Sequence, residues 1–115
     1  TWLLPRLVGS ARARELALLG EKLSGEKALE WGLINRVYDD ADLMPQAMAL
    51  AEELASGPTV ALGQIRQLYW QSPQNTYEEQ LDAERQAQKI AGRAEDFTEG
   101  VTAFLQKRKA QFKGR

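Results

Sequence analysis

Residues 103–115, AFLQKRKAQFKGR, combine five cations with two phenylalanines and contain no acidic residue. The cations are Lys107, Arg108, Lys109, Lys113 and Arg115. On a helix, Phe104, Lys107 and Arg108 would share a face, where a ring can stack on a nucleotide base and a cation can bind phosphate. A structural role suits them as well, because cations complement the dipole at a helix C-terminus and Phe104 can pack in a core. The residues alone leave both interpretations open.

Carboxylates on predicted helices form a second group of candidates. They are Glu15, Glu21, Glu26, Glu30, Glu84, Asp96 and Glu99. A buried carboxylate can act as a general acid or base, and Glu84 is the most interesting because it shares a helical strip with Tyr77 and Leu81. We favour structural roles for all seven and assign no catalytic residue. The chain has no histidine and no cysteine, so we expect no metal site.

Composition argues against several functional classes. The net charge is −1, with 15 basic and 16 acidic residues in 115, and the basic residues cluster at one end, which disfavours nucleic acid as a partner. No apolar run approaches the roughly 18 residues of a membrane span. The absence of cysteine agrees with a reducing, cytoplasmic compartment. The opening TWLLPRLVGS is apolar from its second residue and lacks an initiator methionine, which we interpret as the mark of a longer parent chain.

Capping and breaking residues divide the chain into short-linked helices. We predict a helical turn over residues 5–8, helices over 11–19, 42–56 and 77–91, two more that follow Ser24 and start at Pro58, and a last helix that runs from about residue 95 into the basic C-terminal segment. The predicted N-caps are Thr1, Ser10, Ser24 and Thr76, the last in a capping box with Glu79. Residues 33–38, LINRVY, are strand-like but short, and we interpret them as an extended connector. The chain is therefore predicted to be a single all-α unit over residues 1–115.

Four stretches, in order, resemble the C-terminal part of the enoyl-CoA hydratase/isomerase (crotonase) superfamily. They are TWLLPRLVG, ALLGEKLSGEKALEWGLINRV, ASGPTVALGQIRQL and EDFTEGVTAFLQKRKAQFKGR. Within that superfamily, TWLLPRLVG and QLDAERQAQ look most like the ring-epoxide and double-bond isomerases of phenylacetyl-CoA breakdown. The resemblance implies the helical C-terminal segment of a crotonase-type fold, without the α/β spiral core that carries the catalytic residues upstream of Thr1.

The resemblance also implies a function. The chain would belong to an acyl-CoA hydratase or double-bond isomerase and would contribute oligomer contacts, a wall of the acyl pocket and part of the coenzyme A site. Phe104 and Lys107 match the family positions that contact the adenine and phosphate end of coenzyme A, which is part of the substrate, so no separate cofactor is expected. A homotrimer or a hexamer is implied, and the chain alone should be inactive. The alternative from a different class is a non-catalytic helical interaction module.

Overall fold

The computed structural model describes all residues 1–115 and contains only helices, with no strand. In chain order they are α1 (Leu4–Val8), α2 (Ser10–Leu19), α3 (Gly25–Glu30), α4 (Asp40–Ala55), α5 (Thr59–Gln71), a 3-10 helix (Ser72–Gln74), α6 (Tyr77–Ala91) and α7 (Glu95–Leu105). The predicted all-α class is confirmed. No helix has the length and apolar character needed to cross a bilayer. The chain divides into two compact units, Thr1–Gln46 and Ala47–Arg115, and the single segment over 1–115 stays a prediction.

In the first unit, Gly9 separates α1 from α2. Its φ of 83° lies in the left-handed region, and its N–H donates to the Pro5 carbonyl at 3.1 Å. Two predicted caps are wrong: Leu3, not Thr1, precedes α1, and Ser10 is already the first residue of α2. Because Gly9 occupies the N-cap position of α2, the Ser10 hydroxyl is not placed to accept a bond from the first turn.

The second half of this unit agrees with the sequence prediction. The Ser24 hydroxyl caps α3 by accepting the Lys27 backbone N–H at 3.2 Å. The Ala28 carbonyl then accepts the N–H of Leu33 at 2.9 Å and the N–H of Ile34 at 3.4 Å, which closes the helix end. Residues 33–38 continue without strand pairing, so their interpretation as a connector is confirmed.

The second unit contains a hairpin of α5 and α6. Pro58, the predicted start, occupies the N-cap position of α5, so the helix begins one residue later, at Thr59. The capping box of α6 is confirmed: the Thr76 hydroxyl accepts the Glu79 N–H at 3.3 Å, and the Glu79 carboxylate accepts the Thr76 N–H at 2.8 Å. Ala87 is buried on α6, and small residues of this kind let two helices approach closely.

The last helix is shorter than predicted. α7 ends at Leu105, and residues 106–115, called the tail below, are not helical. The Lys107 N–H donates to the Phe104 carbonyl at 3.2 Å and the Arg108 N–H to the Ala103 carbonyl at 3.0 Å, while Lys107 adopts a φ of 53°. These two bonds around a left-handed residue form a Schellman motif, which turns the chain off the helix axis.

Candidate functional site

Helix α7 presents two chemically different strips. At 100° per residue, Asp96, Glu99 and Ala103 lie along one side, and Phe97 and Phe104 lie on another. The structure buries Asp96 and Ala103 and leaves the two phenylalanines exposed. The two strips therefore have different environments.

The Asp96 carboxylate fixes the end of the tail. Only 4% of this residue is exposed. Its Oδ1 accepts the Lys113 N–H at 2.7 Å and its Oδ2 accepts the Gly114 N–H at 2.8 Å. Its own N–H donates to the Arg115 carbonyl at 3.1 Å. Asp96 is thus satisfied by backbone groups of the tail, and its role is structural.

One turn further along α7, Glu99 holds the beginning of the tail. It accepts Arg108 Nη1 at 2.6 Å and Nη2 at 2.8 Å in a bidentate ion pair, and it also accepts the Gln111 N–H at 2.8 Å. The hydrogen bonds from Arg108 and then from Gln111, with added attraction from the Lys113 charge, lower the pKa of Glu99 from 4.5 to about 2. Glu99 is therefore anionic at any physiological pH.

Apolar and steric contacts complete the attachment of the tail. The Phe112 ring lies against Gly100 of α7, where an added Cβ would be 3.6 Å from the ring. Gly114 has a φ of 74°, and a Cβ there would be 2.5 Å from Thr59 Oγ1. The tail therefore lies along α7 and reaches the start of α5 at a position that only glycine fits without strain.

Two of the five cations of the basic segment are used in ion pairs within the chain. Arg108 binds Glu99, and Arg115 meets Glu95 at 3.2 Å with both side chains exposed. Lys107, Lys109 and Lys113 form no ion pair. Their charges remain available to an anion.

The two predicted site residues lie at the end of α7. Phe104 is in the last helical turn with 82% of its surface exposed, so within this chain it does not pack in a core, which was one of the two open interpretations. Lys107 is exposed and lies two residues beyond the helix. The predicted common helical face does not exist, because the helix ends between them. The two residues are instead joined by the bond from the Lys107 N–H to the Phe104 carbonyl.

An apolar groove of about 410 Å³ opens beside this end of α7. Residues of α5, α7 and the tail line it, among them Val60, Ala61, Phe97, Val101, Phe104 and Phe112. Asp96 is its only charged lining residue, and that carboxylate is occupied by the tail amides. The groove can accept an apolar or aromatic group beside Phe104, three residues before Lys107 in the chain.

The other carboxylates are not assembled into a reaction centre. Glu84 is exposed and accepts only Gln80 Nε2 at 3.4 Å. No group of three or more acidic residues converges on one point. Sequence reasoning assigned structural roles to Asp96 and Glu99 but missed that they bind the tail. The available signal was two acids three residues apart on one helix, directly before a basic segment.

Comparisons with known proteins identify the relatives of this chain. The family model described as "Enoyl-CoA hydratase/isomerase" matches residues 1–115. The chain is 53% identical over its whole length to 1,2-epoxyphenylacetyl-CoA isomerase of Escherichia coli K12, covering 44% of that protein. It is 41% identical over its whole length to a protein of Rhodobacter capsulatus described as a probable enoyl-CoA hydratase, covering 45% of it.

Solved structures agree with the sequence comparison. The crystal structure of an enoyl-CoA hydratase from Bacillus anthracis superposes with a TM-score of 0.91 at 32% identity, over 99% of this chain and 44% of that one. The chain thus spans less than half the length of the relatives it matches. An all-helical segment of the crotonase fold, as predicted, accounts for both the likeness and the partial coverage.

Proposed function

This chain belongs to the enoyl-CoA hydratase/isomerase family, and we propose that it supplies part of the coenzyme A site of an acyl-CoA hydratase or double-bond isomerase. The observation that carries the proposal is the exposed Phe104 ring joined to the unpaired Lys107 across the end of α7. Adenine can stack on an exposed ring, and an ammonium group binds phosphate as a point charge. The resemblance of the sequence assigns the same two residues to that contact.

The role of the chain within the enzyme is binding rather than proton transfer. Catalysis in this proposal needs hydrogen-bond donors for the thioester carbonyl and a carboxylate that moves protons. The acids of this chain are either exposed, like Glu84, or occupied by the tail, like Asp96 and Glu99. The chain would also contribute a wall of the acyl pocket, and the chain alone would be inactive.

Among possible reactions, isomerisation of a ring-epoxide CoA thioester is the first to test. The 53% identity to 1,2-epoxyphenylacetyl-CoA isomerase supports it. Conversion of that thioester by the complete protein, followed by chromatography, would establish the activity. Hydration of crotonyl-CoA without conversion of the epoxide would place the protein among the hydratases instead.

The coenzyme A contact is tested by binding, which does not depend on the reaction. In the complete protein, Lys107→Ala should raise the Kd for crotonyl-CoA about five- to hundredfold, because a partly desolvated charge-assisted contact contributes roughly 1–3 kcal/mol. The Kd for crotonyl-pantetheine, which lacks the nucleotide, should stay unchanged. Calorimetric titration measures both constants.

The matched control is Lys109→Ala, which removes another unpaired cation two residues away. It should change the crotonyl-CoA Kd less than twofold, as expected for a solvated charge. Equal losses in the two variants would reduce the contact to general electrostatic attraction. An equal loss on crotonyl-pantetheine would show that Lys107 is structural.

Oligomer contacts are the second part of the proposal. Tyr69, Trp70 and Tyr77 are 77%, 75% and 73% exposed around the turn between α5 and α6. Clustered aromatic exposure of this kind is typical of interfaces and supports a homotrimer or a hexamer. The same observation favours the alternative of a non-catalytic interaction module. Light scattering of the complete protein, together with the activity assay, separates the two: an inactive oligomer would favour the module.

A cytoplasmic location and the lack of a separate cofactor stay predictions.

A further inference from the structure

The residue that ends α7 is unusual for its position. The Schellman motif places its C′ residue in the left-handed region, where glycine is strongly preferred. Four glycines of the chain adopt positive φ, at residues 9, 20, 32 and 114, yet the C′ position of α7 is Lys107 with a φ of 53°. Lys107 is the only residue other than glycine with a positive φ. A strained backbone at a residue other than glycine points to a function for the side chain of that residue.

The chain holds this strained residue from both sides. On the N-terminal side, the Lys107 N–H is bonded to the Phe104 carbonyl. On the C-terminal side, the next residue, Arg108, is anchored by its backbone to the Ala103 carbonyl and by its guanidinium to Glu99. Glu99 also accepts the Gln111 N–H, so that carboxylate binds two separate points of the tail.

The same clamp distinguishes two adjacent cations. Arg108 is neutralised by Glu99, whereas Lys107 has no ion-pair partner. A bidentate guanidinium–carboxylate pair has a fixed geometry, which suits an anchor. A lysine has a compact charge on a flexible stem, which suits contact with a phosphate. The pattern is that of one cation positioning its neighbour.

From this geometry we infer that Glu99, acting through Arg108, is a positioning residue for the Lys107 contact with the nucleotide phosphate of coenzyme A. The inference rests on the proposed function and adds to it a residue that does not touch the ligand. Without the Glu99 clamp, the turn at Lys107 would exchange among several conformations. The affinity for coenzyme A would then fall in proportion to the fraction of molecules that hold the binding conformation.

The test is the Kd of the complete protein carrying Glu99→Gln, which removes the charge and keeps an amide oxygen for the Gln111 N–H. We expect a rise of about three- to tenfold for crotonyl-CoA, if the binding conformation falls to between a tenth and a third of the population. Crotonyl-pantetheine should bind as before. The matched control is Asp82→Asn, which removes an exposed ion pair with Arg85 on α6 and should change neither constant.

A double-mutant cycle shows whether Glu99 acts through Lys107. In a Lys107→Ala background, Glu99→Gln should have no further effect on the crotonyl-CoA Kd, because the contact that it positions is already gone. Arg108→Lys keeps a cation but loses the bidentate pair, so it should reproduce part of the Glu99→Gln loss. A full Glu99→Gln effect that persists in the Lys107→Ala background would overturn the inference.

The outcomes separate this inference from the proposed function. If Lys107→Ala leaves the crotonyl-CoA Kd unchanged, the proposed coenzyme A contact itself is wrong. If Lys107→Ala weakens binding and Glu99→Gln does not, only the positioning role is wrong. Circular dichroism of each variant confirms folding, and Arg108→Lys provides the test should Glu99→Gln fold poorly.

Discussion

The two strips of α7 invert the usual relation between polarity and burial. On one strip, Asp96 is 4% exposed and, like Glu99, has hydrogen-bond partners from the tail. On the other strip, Phe97 is 56% exposed and Phe104 82%. Carboxylates are ordinarily at the surface and aromatic rings inside. Within this chain, therefore, the polar strip of α7 is largely covered by the tail and the apolar strip is not.

This difference shows that the positively charged residues of the tail fall into two groups, those paired within the chain and those without an ion-pair partner. Arg108 forms the bidentate ion pair with Glu99 that attaches the tail to α7. Lys107, beside the uncovered strip, satisfies nothing within the chain. The structural role and the proposed ligand role of the tail therefore fall on different residues, and Lys107 can be changed without removing the Glu99–Arg108 ion pair.

The largest effect should come from the covered strip, in Asp96→Ala. This change removes the acceptor of the Lys113 and Gly114 N–H groups and leaves both without a partner. Hydrogen bonds to a charged group contribute roughly 1.5–3 kcal/mol each, so we expect a loss of about 3 kcal/mol in the free energy of unfolding of the tail. Hydrogen exchange of those two amides measures it.

The neighbouring acid provides the control for Asp96→Ala. Glu95 pairs with Arg115, but both side chains are about two-thirds exposed, at 65% and 67%. Glu95→Ala should therefore change the exchange free energy by less than about 0.5 kcal/mol. Similar losses in the two variants would mean that burial of Asp96 contributes nothing and that the two strips do not differ as described.

Acid should release the tail at Glu99. The pKa of this carboxyl is about 2 in the fold against an ordinary 4.5, so its contribution to stability is fully present above pH 4.5 and is lost as the pH falls toward 2. The facing charges are Arg108 and Lys113 of the tail, with Asp96 beside it on α7. Carbon-13 NMR of the Glu99 carboxyl should follow this low pKa.

The Arg108→Gln variant sharpens the acid experiment. Loss of the guanidinium removes the largest cause of the lowered pKa, so the Glu99 titration should move up toward 4.5. The tail should then be released at a higher pH than in the unmodified protein. An unchanged titration would show that the ion pair does not hold the tail in solution.

How much of the fold and of the candidate site could be predicted from the sequence depends on how many residues separate the partners of each contact. The capping box of Thr76 and Glu79 and the Ser24 cap were predicted because each joins residues three apart. The path of the tail along α7 was not, because it depends on Glu99 binding residues nine and twelve positions away. Phe104 and Lys107 were chosen by resemblance, and their separation by a helix end could not be read from periodicity, since no glycine or proline marks that end.

A smaller effect, of opposite sign, is expected at Lys107. Lys107→Gly should raise the free energy of unfolding by about 0.5–1 kcal/mol, because glycine adopts left-handed φ without strain and this gain exceeds its entropy cost. The same variant should lose coenzyme A affinity as Lys107→Ala does. Thermal denaturation checks the first effect and calorimetry the second. A variant that loses stability would show that the lysine is at this position for the fold.

The smallest effect on stability should come from the uncovered strip. Phe104→Ala removes a ring that is 82% exposed within this chain, so it should change the exchange free energy of the tail amides by less than about 0.5 kcal/mol. The same substitution should weaken crotonyl-CoA binding, since a base stacked on an aromatic ring contributes roughly 1–3 kcal/mol.

Phe112→Ala is the matched variant, because that ring is half-buried against Gly100 and should loosen the tail. If Phe104→Ala loosens the tail as much as Phe112→Ala does, the ring is covered in solution and the contrast between the two strips disappears. If it leaves the tail intact and lowers affinity, the exposed ring serves a partner rather than the fold.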